Sequence, residues 1–151
     1  MSTTYALFTA PGAGRTHDIL GMKHFYKVTP AESGGRYLAF EMEVPPGCGA
    51  PMHRHDVDSE LFHVLAGEIT VVQPDGQRVA ASGSSAFLPV GGEHAFYNAG
   101  TVTARVLVIA SPGIEAERFF AEIDAASRRT TVDLALVSAT ARRHGLAILA
   151  G

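Results

Sequence analysis

The stretch GCGAPMHRHDVDSELFHVLAG, Gly47 to Gly67, holds two histidines two residues apart and a glutamate five further on, between two glycines. In a strand, residues two apart point the same way, so His53 and His55 project together. Glu60 stands an odd number of residues beyond His55, and an unbroken strand would turn it to the opposite face. The intervening Asp56-Val57-Asp58-Ser59 is rich in turn formers. A break there resets the parity and returns Glu60 to the histidine side. Phe62 and Val64 then face inward with it, and His63 faces outward.

Two imidazoles and a carboxylate make an incomplete metal shell. Fifteen residues separate Gly67 from a second stretch, GSSAFLPVGGEHAFYN, Gly83 to Asn98, which carries His94. Pro89 ends a strand there, and Gly91 and Gly92 permit a tight turn. If that turn lays its strand beside the first, His53, His55, Glu60 and His94 converge. Three neutral imidazoles and one carboxylate suit a divalent transition metal (Fe, Ni, Mn, Cu or Zn) better than calcium or magnesium, which prefer oxygen. Zinc would close its shell with about four donors and leave a structural site. An octahedral ion would keep about two positions open for water, dioxygen or a chelating substrate. The open site is the working expectation.

Outward from these stretches, the chain reads as short strands. GRYLAFEMEV alternates, with Leu38, Phe40, Met42 and Val44 on one face and Tyr37, Glu41 and Glu43 on the other. MKHFYKV alternates too, and ARVLVIA is a further strand. EITVVQ and QRVA flank Pro74-Asp75-Gly76, a hairpin signal. Many short strands without interleaved helices imply an antiparallel sandwich or barrel. The end of the chain differs. IEAERFFAEIDAA has Phe119, Phe120 and Ile123 at helical spacing, read as glue onto the β-core. A second helix is expected in TTVDLALVSATARRHG, capped near Thr130 and stopped at Gly145.

The composition narrows the function classes. A chain of 151 residues, 46% hydrophobic and 18% charged, suits one globular domain. Its net charge is −3, and the basic pairs Arg128-Arg129 and Arg142-Arg143 read as solvated helix ends, so nucleic acid is not an expected partner. The single cysteine, Cys48, rules out an internal disulfide framework. No apolar run reaches spanning length, and the start MSTTYALFTAPG lacks a signal peptide's basic and apolar regions. No membrane partner and a cytoplasmic location are the expectation.

Strand parity sends Leu38, Phe40, Met42, Phe62, Val64 and Phe96 inward, giving an apolar, partly aromatic wall of the kind that lines small-molecule pockets. No inward Arg or Lys stands out to anchor a phosphate or carboxylate, and Arg36 and Arg105 are the two to check. His24 shares a face with Met22, Tyr26 and Val28 and is read as a satisfied or exposed histidine rather than a general base. His17 and His144 are read as surface residues.

The two quoted stretches resemble the two cupin motifs. The first, G-x5-H-x-H-x4-E-x6-G, is matched at Gly47, His53, His55, Glu60 and Gly67. The second, G-x5-P-x-G-x2-H-x3-N, is matched at Gly83, Pro89, Gly91, His94 and Asn98. A looser likeness, through SGGRYLAFEMEVPPG, RVLVIASPG and the tail ARRHGLAILAG, is to the single-domain quercetin-dioxygenase-like cupins. The resemblance implies an all-β, cupin-type antiparallel β-barrel, or jelly roll, with a short helical C-terminal tail. One domain would span residues 1–151, with the barrel core at about 21–110 and the tail at about 114–151. It implies His53, His55, Glu60 and His94 as metal ligands, and a homodimer. In flavonol-cleaving cupins the ligand glutamate also accepts a substrate proton, which would make Glu60 catalytic. Fold analogy does not choose the reaction. The expectation is a metal-dependent dioxygenase acting, with dioxygen, on a small apolar or aromatic substrate that is hydroxylated or enolisable. The alternatives are a non-catalytic binding or sensor cupin and a metal-dependent isomerase or decarboxylase.

Overall fold

In the computed structural model, which describes residues 4–149, two antiparallel sheets face each other and enclose the core. One sheet has six strands: β1 (Thr16–Ile19), β2 (Met22–Val28), β3 (Leu38–Val44), β10 (Ala104–Ser111), β5 (Ser59–Ala66) and β8 (Ser85–Leu88), in that spatial order. The other has five: β11 (Leu146–Ile148), β4 (Gly49–His55), β9 (His94–Tyr97), β6 (Glu68–Gln73) and β7 (Gly76–Ala81). Two helices, α1 (Ile114–Ser127) and α2 (Leu134–Arg143), follow β10. This is a cupin-type jelly roll with a short C-terminal helical part.

The alternation in β3 becomes rows of side chains across the sheet. Phe40 pairs with Val108 on β10, which pairs with Phe62 on β5, and all three are buried. Met42, Val106 and Val64 form the next row. Polar residues between them, such as Glu41 and Arg105, point outward and pair with each other at 2.7 Å. The hairpin at Pro74-Asp75 joins β6 to β7, with Gln73 opposite Gly76. Asn98, the last residue of the second motif, is structural. Its Nδ2 donates to the carbonyls of Val44 and Val102, both at 2.8 Å, and so ties the loops at the barrel's end.

The tail is more than a helical appendage. α1 begins at Gly113, whose φ of +80° and crowded surroundings both require glycine, since a Cβ there would lie 2.6 Å from Leu38 Cβ. The buried Asp58 carboxylate, on the link between β4 and β5, accepts from Gly113 N at 2.7 Å and Ala116 N at 3.2 Å. It thus satisfies backbone donors that a helix start leaves unpaired. The helix buries Phe119, Phe120 and Ile123 against the barrel. The cap of α2 is Asp133, whose carboxylate accepts from Leu136 N, so the helix starts three residues later than a cap at Thr130 would place it. Beyond Gly145 the tail expected as helical becomes β11, which pairs with β4 and brings Leu146 opposite His55 and Ile148 opposite His53. The six-stranded sheet likewise starts at Thr16, ahead of the expected core boundary. Residues 1–3, 150 and 151 of the expected domain lie outside the described residues.

Candidate metal centre

His53 and His55 lie two apart on β4 and both point into the barrel, while Arg54 between them turns out to pair with Asp56. His94 opens β9 directly opposite His53, and their rings lie 4.3 Å apart. Residues 56–58 form no strand, and there the chain leaves the five-stranded sheet for the six-stranded one. That crossing resets the parity, so Glu60 enters the barrel from the facing sheet. His63, on the opposite side of β5, turns away from the interior, with Nδ1 2.7 Å from Ser85 Oγ.

The four side chains are buried, and each offers one donor atom within 4.8 Å of the others. Two donors each about 2.1 Å from one ion sit at most about 4.2 Å apart, so the set is nearly gathered already. The ring nitrogens are oriented for coordination. His53 Nδ1 lies 2.7 Å from the carbonyl of Pro51, and His94 Nδ1 lies 3.2 Å from that of Gly92. Donating Nδ1–H to a carbonyl leaves the Nε2 lone pair free for a metal. His94 Nε2 has no hydrogen-bond partner and stands 3.5 Å from Glu60 Oε2, and His55 Nε2 stands 3.3 Å from the same oxygen. A lone pair facing a carboxylate oxygen is unfavourable unless a cation lies between them. The residues therefore fit a divalent metal ion.

Electrostatics agree with this donor set. Burial, reinforced by the His94 and His55 rings, pushes His53 down to about 4, so it is neutral at pH 7. Burial alone would raise Glu60, but the surrounding imidazoles, His55 foremost, hold it at about 2, ionised. His53 thus offers a neutral nitrogen and Glu60 a negative oxygen, protonation states that coordination needs.

Beside the donors lies a cavity of about 60 Å³. Phe40, Met42, Phe62 and Phe96 are on its wall, whereas Leu38 and Val64 are buried in the core away from it. Leu38 packs instead against the turn at Gly113. The tail completes the wall with Phe119 and Phe120 from α1, Val137 from α2, and Leu146 and Ile148 from β11. The two phenylalanines are thus cavity residues as well as packing. Helical spacing in the sequence showed an apolar face but not which part of the barrel it would cover. Among the described residues no Arg or Lys lines the cavity. Arg36 lies exposed on a loop, and Arg105 is held outside by Glu41.

Three histidines read differently from the sequence. His17 is buried, not on the surface, with Nδ1 3.1 Å from Tyr26 Oη. His144 is half-buried between Glu115 and Glu122, at 2.9 and 2.8 Å, and joins α2 to α1. His24 is neither satisfied nor exposed. It is 2% exposed, lines the cavity, and has no hydrogen-bond partner at either ring nitrogen. Burial pushes its pKa down to about 3. Each buried polar group left unmet costs about 1–3 kcal/mol.

Residues 40–110, which contain the donors, match the family model described as the Cupin domain. That stretch of the chain is thus similar to a cupin domain. Several solved structures share its fold at low identity. KdgF from Halomonas sp. aligns with a TM-score of 0.62 at 17% identity, over 72% of this chain and 94% of that one. A predicted oxalate decarboxylase from Thermotoga maritima aligns at 0.59 and 18%, over 66% and 91%. The polyketide cyclase RemF from Streptomyces resistomycificus aligns at 0.54 and 26%, over 67% and 70%. No curated protein matches the chain. Among the described residues no helix is long and apolar enough to cross a membrane.

Proposed function

We propose that this cupin is a metal-dependent dioxygenase for a small, largely apolar substrate bearing a hydroxylated or enolisable oxygen pair. The observation that carries the reading is the buried His53, His55, Glu60 and His94 set opening onto an apolar cavity. A divalent metal held there would supply Lewis acidity and, if redox-active, electron transfer. The chain's own residues do the rest. The phenylalanine wall excludes water and orients an apolar skeleton. In this reading Glu60 is the group that takes a proton from a substrate hydroxyl. The cavity is far below the roughly 300–1,000 Å³ of pockets for drug-sized ligands. We therefore favour a substrate of a few carbons, such as a short diketone, over a flavonol, which would require the tail to move. The absence of Arg and Lys from the described wall argues against a phosphorylated sugar.

A non-oxidative reaction is the second reading, favoured by the likeness to a polyketide cyclase, since polyketides also carry enolisable carbonyls. One experiment separates the readings. Protein loaded in turn with iron, nickel, manganese, copper and zinc is incubated anaerobically with short diketones and then exposed to air. The dioxygenase consumes oxygen in step with substrate. Turnover without oxygen uptake moves the assignment to isomerisation, cyclisation or decarboxylation. A ligand that raises the melting temperature and is recovered unchanged makes the protein a binding cupin.

A further inference from the structure

The cavity wall holds one polar side chain that metal binding does not use. Among the described lining residues, the side chains with polar ends are His53, His55, Glu60 and His24. His24 comes from β2, on the six-stranded sheet, two strands beyond β10. Its ring stacks on Phe40, with centroids 4.4 Å apart, and meets Phe120 edge-on at 4.7 Å. Those contacts fix the ring but give its nitrogens nothing to bond. Its sheet neighbours are Met42 on one side and His17 on the other, and His17 Nδ1 is already engaged with Tyr26. A leucine or phenylalanine would fill this place without stranding two polar atoms. The arrangement is costly for the empty fold and useful only if something in the cavity meets the ring.

We propose that His24 is the second polar anchor of the cavity, hydrogen-bonding the far end of a small ligand whose near end chelates the metal. The inference rests on the metal reading of the His53, His55, Glu60 and His94 site and adds a ligand class to it. The ligand is short, with two chelating oxygens at one end, an apolar middle, and one uncharged hydroxyl or carbonyl at the other. A neutral imidazole offers one N–H and one lone pair, so it serves either group. A carboxylate at that end would sit among aromatic rings with no cation to balance it.

The test uses cobalt(II)-loaded protein and matched pairs of short hydroxamates, with and without a terminal hydroxyl. The cobalt absorption band reports chelation. At the best-fitting length the hydroxylated probe binds the native protein about tenfold tighter, the worth of one buried hydrogen bond. In His24→Phe that preference falls to about unity while both probes still chelate, and His24→Gln recovers part of it. Metal-free His24→Phe melts at or above the native protein, because it strands no polar atom. Equal affinities of the paired probes for native protein, or a preference that survives in His24→Phe, overturn the proposal and leave the metal site standing. If neither probe alters the cobalt band, the open metal site falls and the proposal falls with it.

Discussion

His53 and His94 share one device: each aims Nδ1 at a carbonyl two residues earlier, on Pro51 and Gly92. The backbone thus chooses which nitrogen faces the cavity. Glu60 is the only anionic member of the set, so its charge does most to hold a dication. Glu60→Gln keeps the shape and removes the charge. The expected result is metal affinity lower by at least about tenfold, read by elemental analysis after dialysis against a competing chelator. Retention of metal at native affinity would remove Glu60 from the shell. These four residues were legible in the sequence because a strand's two-residue period and the motif spacing both concern which face a side chain takes. His24 was not legible in the same way. Alternation put it on a face with Met22, Tyr26 and Val28, but whether its imidazole finds a partner depends on the adjacent strands β1 and β3 and on Phe120, in a helix about a hundred positions later.

At the scale of elements, the tail is fastened to the barrel at its start and clasped helix to helix near its end. Asp58 holds the start of α1 through two backbone donors. Asp58→Ala strands those N–H groups, with an expected cost of about 2 kcal/mol, or roughly 4–8 °C in melting temperature for a chain this size. No change in a thermal melt would refute that role. At the other end, His144 lies between Glu115 on the first turn of α1 and Glu122, and Arg143 pairs with Glu122. Burial alone would lower His144, but the two carboxylates outweigh it and raise its pKa above 6.5, while His144 in turn lowers both glutamates below 4.5. The raised histidine contributes its full stability below pH 6.5 and loses it as pH rises through the folded value. The lowered glutamates contribute above pH 4.5 and lose it as pH falls through theirs. The clasp is therefore tightest between about pH 4.5 and 6.5. Hydrogen exchange in α2 and β11, corrected for intrinsic rates, is expected to quicken from pH 6 to pH 8.5, and His144→Ala to abolish that difference. The long strands and α1 were legible from their periods. β1 and β11, of four and three residues, are too short to show one. The cap at Asp133 rather than Thr130 turned on local backbone geometry that composition does not determine.

For the whole molecule, the donors come from both sheets, three from β4 and β9 and one from β5. An ion bound there would link the two layers and couple metal binding to folding. At a free metal concentration a hundred times its dissociation constant the gain is about 2.7 kcal/mol. Chelator treatment is then expected to lower the melting temperature by roughly 5–10 °C. Below pH 6.5 the metal-free fold also loses stability, because His24 and His53, buried neutral at about 3 and 4, take up protons only on unfolding. The barrel itself was legible from turn-bounded strands, but the closing of its cavity by the tail was not, since that contact joins segments far apart in the chain. The central claim is one ion gripped by three imidazoles and one carboxylate, with positions left open. X-ray absorption on protein purified without added metal and assayed for metal content tests it most directly. The account predicts one divalent ion per chain, three imidazole nitrogens in its shell, and about six ligands with exchangeable water among them. A chain that binds no ion when metal is supplied, or holds only four-coordinate zinc with no water, would contradict it.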